Sequence, residues 1–238
     1  MKIEYFLGIG QNKKASRWLS RLLPAINFHV APDYLSVNSD EDRVAIGLSS
    51  FAGVRADGRV LIAESQAASA AIAALSQGVI GLPNHLILIQ PLGLNYDALG
   101  STRSGRRREL LRRSRLFWKH QNQSLRIAGN RWTAMNLITD VVRHPFVIRS
   151  ALEFGANQNY SQELVLLAKK IKITIVATDE DSLFPYEEIK KLNPEVDVLK
   201  MSGTHLNRAT VKGVEQLRLI LSTLDIHAES SRPAIAGE

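Results

Sequence analysis

The chain of 238 residues contains no cysteine. This absence excludes disulfide bonds, a thiolate nucleophile and a metal site built on thiolates, although it does not fix the compartment. The sequence also lacks the H-E-x-x-H motif of zinc proteases and the G-x-x-x-x-G-K-[ST] motif of phosphate-binding loops. No apolar run approaches the roughly 18 to 20 residues that a helix needs to cross a bilayer. The sequence therefore predicts no metal site, no P-loop and no membrane-spanning helix.

The composition is typical of a soluble globular protein, with 45% hydrophobic and 22% charged residues. Glu4 interrupts the apolar character of the opening MKIEYFLGIG, and no small-residue cleavage site follows, so a signal peptide is not expected. A cytoplasmic location is the default expectation. The length allows two domains or one domain with an insertion, and we expect one.

The formal charge of +7 is unevenly distributed. Residues 101–150 hold Glu109, Asp140 and twelve basic residues, which are Arg103, Arg106, Arg107, Arg108, Arg112, Arg113, Arg115, Lys119, Arg126, Arg131, Arg143 and Arg149. This segment carries +10, and the rest of the chain carries −3. One segment thus accounts for the whole basic excess and needs an explanation of its own.

Six short apolar runs without strict alternation are typical of buried parallel strands. They occupy residues 3–9, 25–31, 59–64, 85–91, 172–178 and 196–201. Helical patterns lie between them, at 14–23, 41–53, 66–77, 185–192 and 207–224. This alternation predicts an α/β fold with a mainly parallel six-stranded sheet and helices on both faces.

The alternation stops between the fourth and fifth predicted strands, where arginine-rich helical sequence with Trp118 and Trp132 takes over. We interpret 96–168 as an inserted basic helical segment. The core is then formed by 1–95 and 169–226, and 227–238 is expected to be a flexible tail.

Polar residues with complementary chemistry follow three of the predicted strands. Ser65 comes first, then the acidic residues of TDEDSLFP at 178–185, then His205 in SGTHLN. A serine hydroxyl becomes a strong nucleophile when a histidine removes its proton, and a carboxylate keeps that histidine in the right tautomer. Since function gathers at the carboxyl ends of parallel strands, these residues predict a nucleophilic site. Taken alone, Ser65 or the acid could instead cap a helix.

The order of serine, acid and histidine resembles that of the α/β-hydrolase superfamily, over nearly the whole chain. The segment AESQA resembles the family's elbow G-x-S-x-G, with Ala63 and Ala67 in place of the two glycines. The resemblance implies that Ser65 is the nucleophile. It selects Asp181 as the acid, with Asp179 as the alternative, because the family's acid lies four residues before a proline. It selects His205 as the base.

The resemblance also implies an oxyanion hole made by the amides of Gln66 and Ile9, which follows Gly8 in the loop after the first strand. The sequence departs from the family at Thr204, where glycine usually precedes the histidine, and the family's first two strands have no counterpart. None of these departures removes a reacting group.

The resemblance implies the function of a serine esterase, which cleaves a small carboxylic ester, thioester or amide through an acyl-enzyme without a cofactor. The insertion stands where the family carries its cap. The alternative is a catalytically silent protein of the same fold. A third interpretation takes GIGQNK and Asp33 as a dinucleotide fingerprint, but Lys13 occupies the position of the third glycine.

The arginines around Leu110, Leu111 and Trp118 predict an amphipathic helix in the basic insertion. They could form the solvated outer face of a cap, attract an anionic substrate or bind an anionic membrane surface. Nucleic acid binding through phosphate contacts is a further alternative, and a less favoured one.

Overall fold

The computed structural model describes residues 2–8, 13–30, 37, 39–94, 102, 104–105, 108–113, 153–154, 157–181, 183–192, 196–202 and 211–226. Within them, six strands form one parallel sheet in the order β2-β1-β3-β4-β5-β6. The strands are β1 (Ile3–Phe6), β2 (Ile26–His29), β3 (Val60–Glu64), β4 (His85–Ile89), β5 (Lys172–Thr178) and β6 (Asp197–Met201). The predicted fold class is confirmed.

Six helices alternate with these strands in the described part of the chain. They are α1 (Lys13–Leu22), α2 (Asp40–Ser49), α3 (Gln66–Ser76), α4 (Ser161–Ala168), α5 (Tyr186–Leu192) and α6 (Val211–Thr223). Helices α1 and α6 contribute to the apolar cluster on one face of the sheet, and α2 to α5 pack on the other. The core is therefore two apolar layers separated by the sheet.

The burial of each strand explains its sequence pattern. Every residue of β3 and β4 is buried, since both strands are central and helices cover both faces. Continuous apolar runs are what such strands require. The edge strand β2 alternates between buried Ile26 and Phe28 and the more exposed Asn27 and His29.

Several predicted elements are shorter than expected, and two of them end where the backbone turns. Strand β4 ends at Ile89, since Gln90 has φ of 46° and cannot continue an extended strand. Helix α2 ends at Ser49 and is followed by a turn in which Gly53 has φ of 79°. The start of α2 fits its sequence, because Ser39 Oγ accepts a hydrogen bond from Asp42 N–H at 3.0 Å.

The predicted insertion, 96–168, includes α4 at its end. That helix packs on α3 and β5, and its Leu164 and Leu167 belong to the apolar core. Helix α4 thus leads into β5 and contributes to the core. The domain limits stay predictions.

Candidate active site

Ser65 occupies the turn between β3 and α3, with φ of 55° and ψ of −121°. L residues rarely adopt this conformation, so the surrounding structure must hold it. Strand β4 and the residues after it provide that support. Ser65 N–H donates to the carbonyl of Ile89 at 2.9 Å, and the Ser65 carbonyl accepts from Leu92 N–H at 3.1 Å.

The hydroxyl of Ser65 does not cap α3. Although Ser65 precedes the helix, its side chain makes no capping hydrogen bond with the described residues, and only its backbone carbonyl accepts from Ala68 N–H, at 3.1 Å. The helix-cap interpretation of Ser65 is therefore wrong. A half-buried hydroxyl on a strained turn, not used for capping, is what a nucleophile requires.

The loop after β1 lies directly against this turn. A Cβ added to Gly8 would meet Ser65 Cβ at 3.1 Å and the Glu64 carbonyl oxygen at 3.4 Å. A side chain at this position would force its neighbours to shift by a few tenths of an ångström, so glycine suits this approach. The next residue, Ile9, lies outside the described residues.

The turn also requires small residues on both sides of the serine. Ala63 and Ala67, the substitutes for the two glycines, are fully buried. Gln66 begins α3, so its backbone N–H is among those that a first helical turn leaves unpaired. The Gln66 side chain is 1% exposed, and neither of its amide atoms has a hydrogen-bond partner among the described residues.

Asp181 is the buried acid of the loop after β5. Its side chain is 1% exposed, and Oδ1 accepts hydrogen bonds from Leu183 N–H at 2.8 Å and Phe184 N–H at 3.3 Å. By contrast, Asp179 and Glu180 are exposed. A carboxylate that orients a histidine works best when it is fixed and sheltered from water, so the burial favours Asp181 over Asp179.

His205 lies outside the described residues, which stop at Ser202 and resume at Val211. The residues that lead to it are well anchored. Asp179 N–H donates to the Met201 carbonyl at 3.1 Å, and Gln216 Nε2 donates to the Ser202 carbonyl at 3.1 Å. The ends of β5 and β6 are thus joined, so the chain leaves β6 next to the loop of Asp181.

Two other histidines are bound elsewhere. His29 pairs with Glu4 at 2.7 Å on the edge of the sheet, and His85 contacts Thr174 Oγ1 at 2.9 Å at the start of β4. His85 lies at the amino-terminal end of the parallel strands, whereas Ser65 lies at their carboxyl-terminal end. Neither histidine is placed to serve Ser65.

Sequence reasoning missed the environment of Glu64, which immediately precedes Ser65. Its carboxylate is 2% exposed and accepts a hydrogen bond from Tyr5 O–H at 2.9 Å. The only signal in the sequence is an acid that closes an apolar strand. This contact ties β3 to β1 beside the turn that holds the serine.

The arginine-rich segment is only partly a solvated face. Arg108 and Arg112 are exposed, but Arg113 is buried. Hydrogen bonds from Arg112 and Arg113 lower the pKa of Glu109 to about 2. Residues 108–113 are helical, and Arg113 lies on the same helix face as buried Leu110, so the prediction of an outer basic face fails at Arg113.

The described residues contain no group of three or more histidine, cysteine and acidic residues that could hold a metal ion. None of their helices has the length and apolar character needed to span a bilayer.

Comparison with known proteins adds the fold family. No protein-family model matches the chain, and no curated protein matches it in sequence. Solved structures do match. The chain is similar to a thermophilic esterase from Thermogutta terrifontis, with a TM-score of 0.57 and 13% identity, over 95% of this chain and 90% of that one.

Two other enzymes show the same likeness. A meta-cleavage product hydrolase from Pseudomonas fluorescens has a TM-score of 0.58 and 14% identity, over 94% of this chain and 90% of that one. A thioesterase domain from the curacin biosynthetic pathway has a TM-score of 0.56 and 14% identity, over 92% of this chain and 90% of that one. The chain therefore has the α/β-hydrolase fold.

Proposed function

We propose that this protein is a serine hydrolase that cleaves a carboxylic ester, or a thioester or amide, through an acyl-enzyme. The observation that carries the proposal is the conformation of Ser65. This residue follows the end of β3 with φ of 55°, and its hydroxyl does not cap α3. A backbone of this kind costs about 1–3 kcal/mol and persists where the surrounding structure and the function maintain it.

In the proposed mechanism, Ser65 Oγ attacks the carbonyl carbon of the ester while His205 takes the hydroxyl proton. The negative charge that develops on the carbonyl oxygen is stabilised by the backbone N–H groups of Gln66 and Ile9. When the tetrahedral intermediate collapses, the bond to the leaving oxygen breaks and His205 protonates that oxygen. Water then attacks the acyl-enzyme by the same steps in reverse, releasing the acid and restoring Ser65.

The role proposed for Asp181 is to orient His205 and to stabilise its protonated form. The burial of Asp181 and the two backbone N–H groups on Oδ1 support this assignment, since they fix the carboxylate in one orientation. Asp179 is the alternative acid, and its exposure speaks against it.

A fluorophosphonate probe tests the nucleophile. We expect wild-type protein to be labelled and Ser65→Ala to remain unlabelled while it keeps its circular dichroism spectrum. Absence of labelling in folded wild-type protein would contradict the proposal. If such a protein bound anionic vesicles or DNA in a salt-sensitive way, a silent binding protein would be the better description.

Matched asparagine variants test the acid. Asp181→Asn keeps an oxygen that can accept from Leu183 N–H, so the loop is retained while the charge is removed. Hydrolysis of a short-chain nitrophenyl ester should fall by about 10⁴-fold. Asp179→Asn removes an equal charge two residues away and should leave kcat nearly unchanged. The reverse pattern would assign the role to Asp179.

A further inference from the structure

Arg113 connects the basic segment after β4 to the loop after β5. It is 5% exposed, and its guanidinium lies between two acidic side chains. Nη1 and Nη2 each donate to one oxygen of Glu188, both at 2.8 Å, and Nε donates to Glu109 at 2.8 Å. Nη1 also donates to the carbonyl of Leu183 at 2.9 Å. The side chain therefore crosses from 108–113 to α5 and the loop before it.

Leu183 is the point at which this contact reaches the proposed acid. Its N–H donates to Asp181 Oδ1, and its carbonyl accepts from Arg113. The two ends of one residue are thus fixed, one by the carboxylate and the other by the guanidinium. The hydrogen bonds on either side of Leu183 restrict its φ and ψ, and they link Arg113 to the Asp181 carboxylate through this one residue.

We propose that Arg113 is a positioning residue that holds the Asp181 loop in its working geometry, a role that rests on the proposed function. The bidentate contact with Glu188 gives the guanidinium a defined plane, which a lysine could not reproduce. Arg113 thereby ties the position of Asp181 to the segment that follows β4 as well as to the sheet.

The electrostatics agree with a fixed contact. Burial alone would lower the pKa of Arg113, but the hydrogen bonds with Glu188 and Glu109 outweigh it and raise that pKa. The guanidinium therefore stays charged at every pH at which the enzyme would be assayed, so the contact does not switch with pH.

Arg112 offers a matched control. It neighbours Arg113 and pairs with the same acid, Glu109, through Nη2 at 2.6 Å. Its side chain is 62% exposed, however, and among the described residues it donates hydrogen bonds to Glu109 alone. Replacing Arg112 removes the same charge without touching Leu183.

The experiment compares Arg113→Gln, Arg113→Lys, Glu188→Gln and Arg112→Gln in the full chain. For Arg113→Gln we expect kcat on a nitrophenyl ester to fall about 100-fold, the cost of a misplacement of about 1 Å, with little change in KM. Arg113→Lys should recover part of the loss. Arg112→Gln should match wild type.

The pH profile and hydrogen exchange separate positioning from a purely structural role. In Arg113→Gln the acid limb of kcat/KM should move to lower pH, since a displaced carboxylate no longer favours protonated His205. The amides of Leu183 and Phe184 should exchange faster than in Arg112→Gln. If Arg113→Gln does not fold, Glu188→Gln takes its place in the comparison with Arg112→Gln. It removes the charge of the carboxylate that fixes the plane of the guanidinium, while Glu109 and the Leu183 carbonyl remain as partners and favour folding.

Folded variants with wild-type kcat, pH profile and exchange at both amides would overturn the inference while leaving the proposed function intact. Failure of the proposed function has a different signature, because wild-type protein itself would then take up no fluorophosphonate. That result would overturn both.

Discussion

The strained backbone at Ser65 predicts an unusual effect on stability. Replacing Ser65 by glycine removes the Cβ that makes φ of 55° unfavourable, whereas replacing it by alanine keeps that Cβ. Relief of the strain is worth about 1–3 kcal/mol, and the greater freedom of unfolded glycine costs about 0.5–1 kcal/mol. Ser65→Gly should therefore be more stable than Ser65→Ala by about 1 kcal/mol, the equivalent of about 2–4 °C in Tm for a chain of this length.

Ser50 provides the control pair, since it caps the carboxyl end of α2 with φ of −65° and ψ of −21°. In that ordinary helical conformation glycine has no strain to relieve, so Ser50→Gly should be less stable than Ser50→Ala. Thermal unfolding followed by circular dichroism measures all four variants. A Ser65→Gly protein no more stable than Ser65→Ala would refute the claim that the turn stores strain.

Three further predictions concern other parts of the fold. Burial lowers the pKa of His85 to about 4, below the unfolded value of about 6.5, so stability should fall by up to about 3 kcal/mol as pH drops between these values. His85→Gln should remove that dependence in urea titrations at several pH values. At Gly93, with φ of +83°, an added Cβ would lie 2.6 Å from Ser69 Cβ, whereas at Gly53, with φ of +79°, it would have no described atom within 4 Å. Gly93→Ala should therefore cost about 2–3 kcal/mol more stability than Gly53→Ala. Equal losses of Tm would contradict this. Gln66→Met replaces a buried amide without described partners, and should raise the free energy of unfolding by about 1–2 kcal/mol, so a decrease would show that the amide is satisfied.

The sheet could be predicted because burial leaves a direct trace in composition. The central strands β3 and β4 are covered on both faces, and their uninterrupted apolar runs report that covering. The end of β4 could not be predicted in the same way. It depends on the positive φ of Gln90. The backbone N–H of Gln90 donates to the Val176 carbonyl at 2.8 Å, on a strand far away in sequence.

The candidate site, too, could be predicted only in part from the sequence. Residue order selected Ser65 and the acid loop, but sequence could not separate a capping serine from a nucleophile, because the two differ in backbone angle and hydroxyl contacts. Nor could it distinguish Arg113 from the other arginines of its segment. The main partner of Arg113, Glu188, is 75 positions away, and only the folded chain brings them together.

The hydrogen bonds around Ser65 also set a limit on when the serine turn can form during synthesis of the chain. The serine turn depends on Ile89 and Leu92, which leave the ribosome after it. A nascent chain that stops at the end of α3 has the serine but lacks its hydrogen bonds with Ile89 and Leu92. Under the proposed function, the serine would therefore acquire its full nucleophilic strength only after β4 and the residues that follow it have docked.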